Sequence, residues 1–254
     1  MGKSTKKFLD GTLGWLLRTI LRYGFLHPLF LCLFKIEIDG EDVARSCTKG
    51  AIIAPNHVSY LDGPFLMSIA WILARIRFVV WHAEYSRWYL WPIMKLCGAI
   101  SAGSPKHLPK EERARRKANT LMIMDKVLKA RRALGIFPSG HIGDGVTTVI
   151  QPHLAGLYDL ISNNPDTPLL LVSLNGLQYS RMGKCFPKVP LYRRLPVKVV
   201  IRRFDNVSLE GGPEGLNKRL EDYFNHGIPL LTNPPHLVQS ESARETTMYR
   251  EQHN

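Results

Sequence analysis

The apolar run Ala51-Ile52-Ile53-Ala54 stops at Pro55, and Asn56-His57-Val58-Ser59-Tyr60-Leu61-Asp62 follows at once, leading into a second apolar stretch. A run this short and this apolar fits a buried strand, and the stretch beginning near Asp62 fits a helix. The loop between them receives a histidine from the end of a strand. A carboxylate five residues after an imidazole lets the chain fold back so that Asp62 holds one ring nitrogen of His57, leaving the other to take a proton. An unassisted hydroxyl is a poor nucleophile at neutral pH, and a positioned base is worth roughly 10²–10⁴-fold. The same residues have a structural reading. Asp62 can cap the helix it precedes, with Pro64 in the first turn, and Ser59-x-x-Asp62 has the form of a capping box. Pro64 weighs against the box, because a helix starting at Ser59 would carry proline in its second turn and lose a hydrogen bond there. A capping Asp62 stays open at this level.

The rest of the chain alternates strand and helix patterns. Phe34 to Gly40 alternates like an edge strand ending in a turn, and Phe78 to His82 reads as a second buried strand. Residues 109–132 form the clearest helix, opening with Pro109 and the acidic pair Glu111-Glu112 at its positive end. Leu134 to His141 is a strand followed by a tight loop. Gln151 to Ser162 suits a helix, with Leu154, Leu157, Tyr158 and Ile161 at helical spacing. Thr167 to Ser173 and Val197 to Ile201 read as strands, and Leu216 to Phe224 as a last helix. This order predicts an α/β fold with a mixed, largely parallel sheet flanked by helices and with its functional loops at strand ends. Residues 35–233 form that domain, residues 1–34 a helical segment before it, and residues 234–254 a polar, disordered tail.

Residues 8–34 are rich in leucine and aromatics, with Arg18 and Arg22 four apart and a break expected near Tyr23-Gly24 or His27-Pro28. A clean membrane span is not expected, since an arginine at the centre of such a helix costs about 2.5–3.5 kcal/mol. An amphipathic helical segment lying in the membrane interface is the favoured reading, and a helix pair covering the soluble core the alternative. The short aromatic helix around Trp88 to Met94 borders an acyl chain or the bilayer, or else packs in the core. Met1-Gly2 with Thr5 permits myristoylation only weakly.

The net charge of +13 calls for an anionic partner. The strongest basic patch is residues 181–203, which hold eight lysines and arginines and no acid. Nucleic acid is the least favoured partner, since no recognition motif accompanies the charge. The cysteines Cys32, Cys47, Cys97 and Cys185 are scattered, without metal or disulfide spacing, so neither framework is expected.

Asn56-His57-x-x-x-x-Asp62, with Ser59 inside it, resembles the first motif of the glycerolipid acyltransferases, the family containing the lysophosphatidic acid acyltransferases. Gly98 to Ser104 resembles the second motif, but Ser104 stands where relatives usually have an arginine for the acceptor phosphate, and the nearest cation is Lys106. Phe137-Pro138-Ser139-Gly140-His141 resembles the third motif, Phe-Pro-Glu-Gly-Thr, with Ser139 in place of the glutamate. Thr167 to Ser173 resembles the fourth, with Leu171 where a second proline is common. The resemblance covers residues 35–205. It implies an O-acyltransferase in phospholipid synthesis or remodelling that moves a fatty acyl group from acyl-CoA or acyl carrier protein, as co-substrate, to a lysophospholipid-type acceptor. His57 and Asp62 are then catalytic, with backbone amides near the motif holding the oxyanion. Ser104, Lys106, Phe137, Pro138, Ser139, Gly140 and His141 bind the acceptor. No metal or other cofactor is implied, and the protein sits on the cytoplasmic face of a phospholipid membrane. The two serines leave room for an amine- or sugar-bearing lipid acceptor, or for a non-catalytic lipid-binding scaffold. A hydrolase nucleophile at Ser139 is disfavoured, because the Gly-x-Ser-x-Gly elbow is missing.

Overall fold

The computed structural model describes residues 16–17, 19–47, 50–69, 76–88, 91–105, 107–190, 193–204 and 207–227. Among them are β1 Phe34–Asp39, β2 Ile52–Pro55, β3 Arg77–Trp81, β4 Ile100–Ala102, β5 Leu134–Gly135, β6 Leu169–Asn175 and β7 Leu195–Phe204. The strands form one sheet in the order β1-β7-β6-β2-β5-β3-β4. All neighbouring pairs are parallel except β6 and β7, which run antiparallel. The expected mixed, largely parallel α/β sheet is therefore present.

Alternating side chains of each strand face opposite layers, as the pleat requires. Ile53, Leu170, Val172, Leu174, Val197 and Val199 point to one face, together with Phe65 and Leu66 of α3, Asp62–Ser68. Ile52, Ala54, Leu169 and Leu171 point to the other. That face is covered by Val127 and Leu128 of α6 (Lys110–Lys129), Leu157 and Leu160 of α7 (Gly156–Asn163), and Leu220 and Phe224 of α8 (Gly212–His226). Every residue of β2 and β6 is buried, which explains the apolar runs Ile52 to Ala54 and Leu169 to Val172 within them. The remaining helices are α1 His27–Leu33, α2 Glu41–Ser46, α4 His82–Tyr85 and α5 Trp91–Leu96.

Several boundaries differ from the sequence reading. Strand β3 is only half buried, with Trp81 exposed at its end, because just β4 lies beyond it in the sheet. Helix α7 begins at Gly156 rather than Gln151. The carbonyls of Gln151, Pro152 and Leu154 are turned toward the side-chain amide of Asn217 in α8, which donates to all three, and this holds the segment out of a helix. At Leu26/His27 a π-helical stretch, Ile20–Leu26, continues directly into α1, which has proline in its first turn, and Leu26 itself keeps helical backbone angles, so the chain is not broken there. Phe30 of α1 is buried, stacked on Phe34 at 5.4 Å and edge-on to Phe65 at 5.6 Å. Its neighbours Ile20, Phe25, Leu29 and Leu31 remain exposed. No helix among the described residues is long and apolar enough to cross a membrane. Arg18, the tail after residue 227 and the Met1-Gly2 start lie outside the described residues.

Candidate active site

Open parallel sheets carry their sites in the loops beyond the carboxyl ends of the strands. Strands β6, β2 and β5 are neighbours running the same way, so the loops that follow them, residues 176–190, 56–62 and 136–150, meet at one end of the sheet. Asn56 fixes the exit of the chain from β2. Its side-chain amide donates to Leu174 O at 3.1 Å, and its Oδ1 accepts Leu174 N–H at 2.7 Å, extending the β2–β6 ladder past Pro55 with a side chain.

His57 follows, and its Nδ1 lies 2.8 Å from Asp62 Oδ2. The same oxygen accepts the backbone N–H groups of Val58 at 2.7 Å and Ser59 at 2.9 Å. An oxygen already accepting two N–H donors does not carry the proton, so Nδ1 is the donor and Nε2 the ring nitrogen left as an acceptor. Asp62 does not cap the helix. It is the first residue of α3, and its carboxylate turns back onto the loop instead of capping the helix, whose N-cap Leu61 makes no side-chain cap bond. Ser59 Oγ accepts Leu61 N–H at 3.2 Å and meets Ser180 Oγ at 3.2 Å, tying the motif loop to the loop after β6.

Asp62 is fully buried, and its Oδ1 has no hydrogen-bond partner among the described residues. Burial pushes its carboxyl above the usual carboxylate range, against the pull of His57 and the two amides on Oδ2. A proton taken up by Asp62 therefore goes to Oδ1, away from the imidazole. The amides of Val58 and Ser59 are both occupied by Asp62, and Gly143 N–H donates to His57 O at 2.8 Å. These amides near the motif are thus not available to an oxyanion, in contrast to the sequence expectation.

Phe137 lies flat against His57, ring centroids 4.1 Å apart at 24°, and is backed by Phe78 at 5.7 Å. It serves as the plate that fixes the imidazole plane. Pro138 is buried beside it. Ser139, also buried, donates its hydroxyl to His141 O at 2.8 Å, while His141 Nδ1 donates to Ser139 O at 2.7 Å, so the pair closes its own turn around Gly140. His141 is exposed, as is Gly140, whose φ of 66° suits the turn.

A small, solvent-open cleft lies over His57, lined by Asn56, Val58, Ser139 and residues of the segment 143–149. The residues of that segment lining the cleft are neutral: glycine, valine and threonine. The segment is held from several sides. The Asp144 carboxylate accepts Val146 N–H and Thr147 N–H, both at 2.9 Å, and the Thr147 hydroxyl at 3.2 Å. Burial opposes these donors, yet together they keep Asp144 below the usual carboxylate range. Thr148 exchanges two backbone hydrogen bonds with the Asn225 side chain, and Ile150 N–H donates to Glu221 Oε2, so α8 braces the wall. Gly145 has φ 84°, and a Cβ there would fall 2.5 Å from Gln178 Cβ. The only local signal for this wall was the glycine-rich spacing Gly140-x-x-Gly143-x-Gly145. Ser104 follows β4 at the far edge of the sheet and does not line the cleft; Lys106 lies outside the described residues. Among the described residues no three His, Cys, Asp or Glu side chains group to hold a metal ion.

The fold and site define an α/β protein whose central parallel strand delivers an imidazole–carboxylate pair to a cleft at the carboxyl end of the sheet. A family model described as Acyltransferase matches residues 35–170, and the chain belongs to that acyltransferase family. Among solved structures it is similar to the crystal structure of the 1-acyl-sn-glycerophosphate (LPA) acyltransferase, PlsC, from Thermotoga maritima. The TM-score is 0.56 at 15% identity, over 89% of this chain and 82% of that one, a likeness of fold.

Proposed function

We propose that this acyltransferase moves a fatty acyl group from an acyl-CoA or acyl-carrier thioester to a hydroxyl of a lysophospholipid-type acceptor at a membrane surface. The observation that carries the reading is the 2.8 Å contact of His57 Nδ1 with Asp62 Oδ2, in a ring clamped by Phe137 at the mouth of a cleft. Nε2 takes the acceptor hydroxyl proton as its oxygen attacks the thioester carbonyl. The tetrahedral intermediate collapses with cleavage of the C–S bond, and the imidazolium returns the proton to the departing thiolate. Asp62 fixes the tautomer and stabilises the imidazolium while it exists.

A second acceptor class has its own support. The residues lining the cleft include no lysine, arginine, aspartate or glutamate, and Ser139 replaces the family's glutamate. A lipid bearing an amine or sugar hydroxyl, without a phosphate to neutralise at this wall, fits such a lining. Mass spectrometry of membrane lipids from cells with the protein, without it, and with His57→Ala identifies the acceptor. A lysophospholipid that accumulates equally in the last two supports the first reading, an unphosphorylated lipid the second, and an unchanged lipid profile contradicts acyl transfer.

A further inference from the structure

The basic patch of residues 181–203 divides in two in the folded protein. In β7, Arg202 makes a two-point pair with Asp39 of β1, at 3.0 and 2.5 Å, and Lys198 lies 3.3 Å from Glu37. Arg194 donates to Leu31 O at 2.8 Å. That half is matched by the adjoining strand and by the end of α1. The other half, residues 181–188, follows β6 and joins the rim of the cleft.

This loop is fastened to both others there. Ser59 pairs with Gly183 in an antiparallel bridge, and Tyr60 N–H donates to Met182 O at 3.3 Å. Lys184 Nζ donates to Ile142 O at 2.6 Å, and Cys185 Sγ to Asp144 O at 2.9 Å. The fastened loops still present large apolar side chains to solvent: Tyr60 is 60% exposed, Met182 49% and Phe186 79%. Val146 and Val149, each 53% exposed, continue the rim on the wall of the cleft. Cations are interleaved with them. Arg181 is exposed, and Lys188 sits 4.9 Å over the Phe186 ring while donating to Gly183 O. Asp144, the one exposed acid of the three loops, directs its carboxylate to its own amides and to Thr147.

We propose that this rim is a membrane-docking surface for an anionic phospholipid bilayer, separate from the N-terminal helical segment. Tyr60, Met182 and Phe186 enter the headgroup region, and Arg181, Lys184 and Lys188 face lipid phosphates. Interleaved aromatic, apolar and basic side chains are the composition that binds an anionic interface, by apolar insertion and by attraction to the surface charge. Docked this way, the cleft mouth faces the leaflet, and a long-chain acceptor reaches His57 without leaving lipid. The inference rests on the reading of the protein as acting on a lipid at a membrane. It adds which surface meets that membrane and which lipid charge the surface prefers.

Full-length protein and the double variant Arg181→Glu/Phe186→Ser are compared for partition onto vesicles of phosphatidylcholine alone and of phosphatidylcholine with phosphatidylglycerol. Hydrogen exchange is followed on the same samples. The expected result is tighter partition onto the anionic vesicles, slowed exchange in peptides spanning 58–61 and 181–188, and a loss of about tenfold or more in anionic partition in the variant at an unchanged Tm. Equal partition of variant and parent, or protection confined to the N-terminal segment, overturns the proposal. So does a variant that keeps its vesicle binding and loses turnover only with an acyl-carrier thioester, which would make the rim a carrier-protein site. Partition and exchange are read without turnover, so a protein that docks by this rim and transfers no acyl group refutes the activity and leaves the surface standing.

Discussion

Asp62 buries a carboxylate in which one oxygen accepts three donors and the other accepts none among the described residues. An asparagine there can keep an oxygen facing Val58, Ser59 and His57 while losing the charge that stabilises an imidazolium. Asp62→Asn is therefore expected to lower kcat by roughly 10²–10⁴-fold while shifting stability by less than about 1 kcal/mol, since the desolvation cost of the charge goes with it; steady-state kinetics and denaturant unfolding read the two effects. The pH dependence has a definite sign. Burial raises the folded-state pKa of Asp62, so between the unfolded and folded values the folded protein binds more protons than the unfolded chain. The contribution of this group is complete below the ordinary carboxyl range and is lost as pH rises through the raised value. Stability of Asp62→Asn measured against the parent from the ordinary carboxyl range upward should lack this decline. Phe137 lies flat against the His57 ring, and Phe137→Leu, which keeps the burial and removes the flat ring, is expected to lower kcat about tenfold with little change in KM.

Among the elements, α8 lies beyond the matched family region and yet braces the cleft wall. Asn225→Ala removes two hydrogen bonds from the backbone of Thr148 and is expected to cost about 1–3 kcal/mol of stability. The loosened wall should raise KM for the acceptor more than it lowers kcat, which acceptor titration at saturating thioester measures. The sheet and the His57–Asp62 contact were legible because local pattern encodes them. Ile52 to Ala54 and Leu169 to Val172 are buried on both faces and so read as apolar runs. The His57–Asp62 pair is closed within five residues. Asn225, Glu221 and Asn217 were not legible, because each acts on backbone more than sixty residues away and looks like an ordinary polar position on an amphipathic helix. For the same reason the pairing of Arg202 with Asp39 was hidden in what read as one continuous basic patch: the two residues meet only once β1 lies beside β7. Ser104 could not be placed from its motif, since strand order and not chain order decides which loops reach the cleft.

At the scale of the molecule, α1 and the half that carries His57 share a core through Phe30, Phe34 and Phe65, and Phe65 belongs to the helix that begins with Asp62. Phe30→Ala is expected to destabilise the whole protein by about 3–5 kcal/mol, measured as one cooperative transition. The central claim is that this assembled sheet exists to present one base to an acyl acceptor. It is tested most directly by thioester consumption with purified parent and His57→Ala proteins in the presence of a dispersed lysophospholipid. A loss of at least about 10²-fold in turnover at an unchanged Tm is the predicted result; full turnover in His57→Ala would contradict it.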